Sequence, residues 1–390
     1  MNVPESAHPA ATTDFYFLPS KKNQQYHDAL QCELSSLLLL HSVKTIKSVP
    51  SSITPEISLT PPVVPLYARD PCSVVDSIGE ELKQVTPQGA TFTGGSPQLH
   101  DLIVCNIAAE AVSFSAWKVI ASASTTVELF SSSETTELLH HHYSSRSTST
   151  APLSFVVEIY SYGRKLSQKQ KNKVLNLAAF NKSELIDPKH THVHQLCLIL
   201  QHSGSAVDMH GLPKLLRVDL CASLTRSSSG ASVFPSPVTS SATSLRRLLC
   251  QLTRNLALVE PTSLSLDLCC GTGHLMEAMG GVTLGSDAVH HFPTISATRD
   301  ENKTSSYGRN FCLGNIYNIP YVAREQFDCL VCDPPYGRRE IHVNALGGDS
   351  ATHCSHAERA RAQFQILTPL LAAAAKLLRI GGRLVFLFIK

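Results

Sequence analysis

The chain is 390 residues long, 43% hydrophobic and 16% charged, with a formal net charge of +2. That length suits about two to three domains, and that hydrophobic content supplies a core. A balance so near neutral excludes any global electrostatic demand for nucleic acid, so RNA contact must rest on local basic patches.

No run of about 18 apolar residues marks a membrane span. Met1-Asn2-Val3-Pro4-Glu5 has neither the charged nor the apolar region of a secretory signal, so a cytoplasmic protein is expected. Residues 1–14 read as a disordered N-terminus. Phe15–Leu18 predicts a strand. Tyr26–Leu40 predicts an amphipathic helix with Leu30, Leu34, Leu37 and Leu38 on one side. Residues 48–65 are rich in Pro, Ser and Thr and read as an insertion. Leu102–Cys105 predicts a strand, Ala108–Ala116 a short helix, and Thr126–Phe130 another strand. This alternation predicts a small ferredoxin-like α/β domain over residues 15–152, closed by a Ser/Thr-rich linker at 131–152.

Phe155–Tyr160 is the next predicted strand, and Ser167–Leu177 a basic helix. Lys165, Lys169, Lys171 and Lys173 are candidate RNA contacts there; a solvated helix face is the plainer alternative. Residues 203–240 are again rich in Ser, Gly and Pro. Leu245–Leu258 predicts a helix leading into a last domain at 238–390.

That domain carries the chemistry. Leu264–Leu268 reads as a strand, Cys269-Cys270-Gly271-Thr272-Gly273 as a glycine turn, and His274–Met279 as a helix. Strand, glycine turn and helix form a nucleotide-binding crossover. A dinucleotide fold would want a third glycine near Met276, and a phosphate-binding loop would want Gly-Lys-Ser/Thr where Gly273-His274 stands. The strand Val282–Ser286 ends at Asp287, where an acid can bind ribose hydroxyls. Asn315 follows Phe311–Gly314 and is placed to hydrogen-bond adenine. Asp267 can sit near the amino-acid end of S-adenosylmethionine. Asp267, Cys269, Gly271, Thr272, Gly273, Asp287 and Asn315 are thus the candidate cofactor-binding residues.

Phe327–Cys332 reads as a buried strand that delivers Asp333-Pro334-Pro335-Tyr336. This pattern suits methylation of an exocyclic amine on a nucleobase. Such an amine is a poor nucleophile, because its lone pair is delocalised into the ring. Asp333 and the Pro334 carbonyl can accept its two N–H bonds, the prolines stiffen the cradle, and Tyr336 can stack on the base. A strand followed by a proline turn is the bland alternative. In chain order the glycine turn, the ribose acid, the adenine-site amide and the amine cradle predict a class I, Rossmann-like methyltransferase domain.

Twelve cysteines are scattered along the chain. Cys329 and Cys332 have metal-like spacing but lie in a predicted buried strand with no second pair, so reduced core thiols and no metal are expected. His140–His142 reads as a solvated loop.

On these residues the chain resembles the family of tRNA (guanine-10) N2-methyltransferase catalytic subunits. Phe155–Lys173 is similar to the family's segment entering its THUMP domain, and Asp333–Glu340 to its catalytic loop. Tyr16–Leu18 with the Leu-rich helix, and Leu102–Phe130, are similar to its N-terminal domain. The resemblance covers residues 15–47, 100–200 and 238–390. It implies a ferredoxin-like/THUMP α+β region, with THUMP-like RNA binding over 153–237, followed by the methyltransferase domain. It implies tRNA as substrate, S-adenosylmethionine as methyl donor, N2-methylguanosine as product, and a small zinc-binding activator subunit as partner. Arg338 and Arg339 would join the lysines in contacting RNA. The family's adenine-site acid is matched by Asn315, and its THUMP end is replaced by residues 203–237. Leu384–Lys390 reads as the fifth strand of a sheet expected to continue into a further hairpin, so a C-terminally truncated domain is expected. The amine cradle by itself leaves adenine or cytosine in DNA or other RNA open as targets. A noncatalytic RNA-binding protein with a degenerate methyltransferase domain is the third alternative.

Overall fold

The computed structural model describes residues 12–20, 23–48, 56–60, 88–93, 96–144, 154–162, 164–177, 193–207, 212–224, 247–271, 273–288, 309–317, 319, 325–334 and 356–387. The chain divides into two compact units. The first comprises Met1–Gln31, His41–Ala109 and Ser113–Ser227; the second comprises Cys32–Leu40, Glu110–Val112 and Ser228–Lys390.

The first unit is built on a seven-stranded sheet. Its strands are β1 (Thr12–Pro19), β2 (Glu56–Thr60), β3 (Gln88–Thr93), β4 (Phe114–Ala123), β5 (Ser154–Tyr162), β6 (Val193–Val207) and β7 (Pro213–Ser223), in the order β2-β3-β1-β4-β7-β6-β5. All neighbours are antiparallel except β5 and β6. The sheet runs across the expected boundary at 152/153, because β4 pairs with β7 from Trp117↔Ser223 to Ala123↔Val218. β1 lies inside the sheet, and Phe15 and Phe17 meet Phe92 and Phe114 edge-on at 5.2 and 5.4 Å. Its start at Thr12 corrects the expectation of disorder through residue 14.

Several local expectations are overturned. Leu102–Cys105 is not a strand but part of helix α2 (Pro97–Glu110), which follows α1 (Leu30–Ser48). Leu99, Ile103, Val104, Ile107 and Ala108 are buried at helical spacing, Pro97 opens the helix, and Ser96 Oγ accepts the Leu99 N–H at 3.2 Å. A short apolar run fits either period, and here the cap decides. The helix expected at Ala108–Ala116 is cut at Glu110, and β4 starts at Phe114.

Thr126–Phe130 is helix α3 (Thr126–Ser131), not a strand. Thr125 Oγ1 accepts the Glu128 N–H at 3.1 Å, and Glu128 Oε2 accepts the Ser124 N–H at 3.1 Å, a reciprocal cap. The expected linker at 131–152 contains α4 (Ser133–Ser144), with His142 buried in it rather than solvated. The expected insertion at 48–65 contains β2, and the Ser/Gly/Pro-rich stretch from 203 contains the end of β6 and all of β7. The basic helix is α5 (Gln168–Leu177), as expected.

The second unit holds α6 (Arg247–Ala257), β8 (Leu264–Asp267), α7 (His274–Met279), β9 (Val282–Asp287), β10 (Arg309–Leu313), β11 (Phe327–Cys332), α8 (His356–Leu377) and β12 (Leu378–Phe386). Its five strands are all parallel and ordered β10-β9-β8-β11-β12. This is the 3-2-1-4-5 order of the Rossmann-like class, in agreement with the expected fold of the last domain.

Both sheet faces are covered. Cys329 and Val331 pack with Cys250, Ala257, Leu275 and Met279 on one face, while Leu330 and Cys332 pack with Leu266, Leu268, Ile366 and Leu370 on the other. That double burial explains the near-continuous apolar run of β11. It also sends the metal-spaced Cys329 and Cys332 to opposite faces. The fifth strand begins at Leu378, earlier than the expected Leu384, and ends at Phe386.

Segments 32–40 and 110–112 are tied into this unit by a buried polar knot. Glu33 Oε1 accepts the Val112 N–H at 3.0 Å and Asn255 Nδ2 at 2.7 Å, and Asn255 Nδ2 also donates to the Glu110 carbonyl at 2.8 Å.

Candidate active site

The site lies at the C-terminal edge of the parallel sheet. β8 is the strand from which the chain moves first to β9 and β10 on one side, then to β11 and β12 on the other. Such a reversal opens a crevice beyond the strand ends, where ligands of doubly wound sheets bind. Three neighbouring strands deliver a carboxylate there: Asp287 ends β9, Asp267 ends β8, and Asp333 follows β11.

The glycine turn is held by backbone bonds. The Cys270 N–H donates to the Ser286 carbonyl at 3.0 Å, and the Gly273 N–H to the Cys270 carbonyl at 2.7 Å. Gly271 and Gly273 have φ of +47° and +82°, a left-handed backbone that favours glycine. A Cβ on Gly271 would meet nothing within 4 Å, so its backbone faces open space. The Gly271 N–H donates to Asp287 Oδ2 at 2.8 Å. Asp287 therefore positions the turn. Gly314 N–H bonds the Asp287 carbonyl at 3.0 Å, which brings Asn315 to the same edge. Asn315 Oδ1 accepts the Tyr317 N–H at 3.0 Å.

Asp267 is 1% exposed and, among the described residues, accepts one hydrogen bond, from the Cys269 N–H at 3.2 Å. Burial pushes its carboxyl up to about 8; the Cys269 N–H opposes this, and the charges of Asp333 and Asp287 add to it. The neighbouring thiols respond alike. Cys250 is pushed up to about 12 by burial, with Asp267 and Asp333 contributing. Cys332 is raised first by the hydrogen bond it shares with Cys269, then by burial, and Cys270 first by burial. The edge thus has a negative field with its central member withdrawn from water.

Asp267, Cys269, Gly271, Gly273, Asp287, Asn315, Asp333 and buried Pro334 are gathered at this edge. Thr272, Pro335, Tyr336, Arg338 and Arg339 lie outside the described residues. In the first unit, Lys165, Lys169 and Lys173 are exposed and Lys171 is half-buried.

Two participants escaped the sequence reading. Cys250 reaches the site from α6, and nothing in its local sequence marks it. Gly285 sits inside β9, where a Cβ would run into the Met276 thioether and come within 2.9 Å of Cys270 Sγ. A glycine interrupting a strand was the available signal. Among the described residues no cluster of His, Cys, Asp and Glu could hold a metal ion, and no helix is long and apolar enough to cross a membrane.

No family model matches the chain, and no curated protein matches it. Solved structures align along most of its length. TrmN from Thermus thermophilus is 14% identical, with 97% of this chain and 89% of that chain covered and a TM-score of 0.43. A possible methylase from Clostridium difficile 630 is 11% identical, covering 94% and 88%, with a TM-score of 0.44. A predicted N6-adenine-specific DNA methylase from Listeria monocytogenes str. 4b F2365 is 12% identical, covering 94% and 87%, with a TM-score of 0.43. Likenesses this distant assign no activity.

Proposed function

We propose that the chain is an S-adenosylmethionine-dependent methyltransferase acting on the exocyclic N2 amine of a guanosine in tRNA. The supporting observation is the convergence of the glycine turn, Asp267, Asp287 and Asp333-Pro334 on one edge of a parallel sheet at its point of reversal. The residues fit the donor. Three carboxylates favour a ligand carrying sulfonium and ammonium charge, and the open side of Gly271 allows close backbone approach. When bound, S-adenosylmethionine supplies an electrophilic methyl group.

Asp267 would face the amino-acid end of the donor, Asp287 the ribose, and Asn315 the adenine. Cys269, Thr272 and Gly273 complete the lining in this reading. Asp333 would accept one N–H of the target amine and the Pro334 carbonyl the other. That orients the nitrogen lone pair and offsets the positive charge that develops on nitrogen as it is alkylated. Tyr336 stacks on the base once it leaves its helix, a step expected for chemistry on a base edge. Lys165, Lys169, Lys171, Lys173, Arg338 and Arg339 bind RNA phosphate, and the THUMP-like part of the first unit carries docking. A small zinc-binding activator as partner and a cytoplasmic setting complete the proposal, both from the family resemblance.

The test is methylation of total tRNA with labelled S-adenosylmethionine, with and without the activator subunit, followed by nucleoside identification. N2-methylguanosine is expected. Label in an adenine or cytosine amine would move the substrate. tRNA binding with no methylated product would favour the noncatalytic alternative.

A further inference from the structure

Asp267 is a carboxyl almost wholly withdrawn from water that, among the described residues, receives a single hydrogen bond, from the Cys269 N–H. Among the described residues, the ionisable groups facing it are Cys250 from α6, Cys270 from the glycine turn, Asp287 from β9, Cys332 from β11 and Asp333 just after it. Each of these is an acid or a thiol, and none of them supplies positive charge. A buried carboxylate with one donor and two carboxylate neighbours is poorly compensated, and such a group takes up a proton instead of remaining charged. Burial raises its carboxyl to about 8, with the charges of Asp333 and Asp287 adding to it.

We propose that Asp267 is a charge-selecting residue of the crevice, which holds a proton while no cation is present and releases it to solvent when a cationic ligand enters. This rests on the donor reading for the identity of that ligand, whose ammonium and sulfonium groups provide the missing positive charge. The ionised carboxylate then gains a partner, and binding free energy is divided between direct attraction and proton release. Affinity becomes linked to pH, rising as solution pH takes up the cost of deprotonation. Asp287 and Asp333 lie nearer to water at the same edge.

The test is calorimetric titration of the full chain with S-adenosylmethionine between pH 5.5 and 7, where the ligand's own ammonium stays protonated, in two buffers of different ionisation enthalpy. About one proton should be released per ligand across this range. The dissociation constant should fall by about tenfold per pH unit across it. Asp267→Asn should bind with a flat pH profile and no buffer-dependent heat.

A difference infrared spectrum of unliganded wild type against Asp267→Asn at pH 7 should show a protonated carboxyl band. Binding that is independent of pH and buffer in the wild type, or unchanged proton release in the variant, would overturn the proposal. So would the lack of that infrared band. Failure of S-adenosylmethionine to bind at any pH sinks the donor reading and the ligand half of this proposal together, and the infrared band still decides the protonation half.

Discussion

Asp219 in the seven-stranded sheet and Asp267 in the five-stranded sheet are equally withdrawn from water, at 0% and 1% exposure. Their surroundings are opposite. Asp219 accepts the Tyr16 hydroxyl at 2.9 Å, the Ser122 hydroxyl at 2.5 Å and the Arg217 guanidinium at 2.6 Å. Three strands, β1, β4 and β7, thereby converge on one carboxylate, and its charge is matched. Asp267 has a lone backbone donor and faces two further carboxylates. A buried charge that is fully bonded serves the fold. One that is short of partners among the described residues, at a strand end, is the feature on which the proposed ligand site rests.

The largest expected effect falls on the acid beside Asp267. Asp333→Ala should lower turnover on tRNA by about 10²–10⁴-fold, because the amine is neither oriented nor polarised. Donor affinity, measured by calorimetry on the same protein, should change far less. Near-normal turnover would reduce Asp333-Pro334 to a proline turn and erase the functional side of the contrast.

Breaking the other side should cost stability instead. Asp219→Ala strands Arg217, Tyr16 and Ser122 without their acceptor and should destabilise the fold by about 3–5 kcal/mol in denaturant titrations. Asp267→Asn should do the reverse in the unliganded protein. Because the folded state keeps a proton on Asp267 that the unfolded chain has lost, the contribution of Asp267 to stability falls as pH rises from about 4 to about 8, then levels. The variant's advantage should be small at pH 4 and reach the order of a few kcal/mol above pH 8. Denaturant midpoints at pH 4.5 and 8.5 provide the check, and equal midpoint differences at both would contradict the burial argument.

Smaller effects sharpen the picture. Gly285→Ala drives a methyl into Met276 and Cys270 behind the glycine turn and should cost about 1–3 kcal/mol in thermal unfolding. Removing the charges of Lys169 and Lys173 should leave stability within about 0.5 kcal/mol. It should also lower the slope of tRNA affinity against salt by about one for each phosphate that the variant no longer neutralises. An unchanged slope would leave those lysines as solvated surface.

Asp333-Pro334 and the Cys269–Gly273 turn were legible because their local patterns survive in any context: an apolar strand ending in an acid, and glycines where the backbone must turn left-handed. The parallel strands were legible for a related reason, since doubly buried strands read as continuous apolar runs bounded by turns. The first unit resisted. Leu102–Cys105 and Thr126–Phe130 are apolar stretches that fit either period, and the caps at Ser96 and Thr125 settled them as helices.

What the amino-acid sequence determined by itself, then, was the order of elements around the glycine turn and the residue types offered at each strand end. Only the tertiary structure decided that β4 joins β7 across the expected boundary at 152/153, and that Asp219 is matched while Asp267 is not. Strand pairing and burial are long-range properties. A carboxyl's charge depends on which distant groups the fold brings beside it, and no local pattern carries that information.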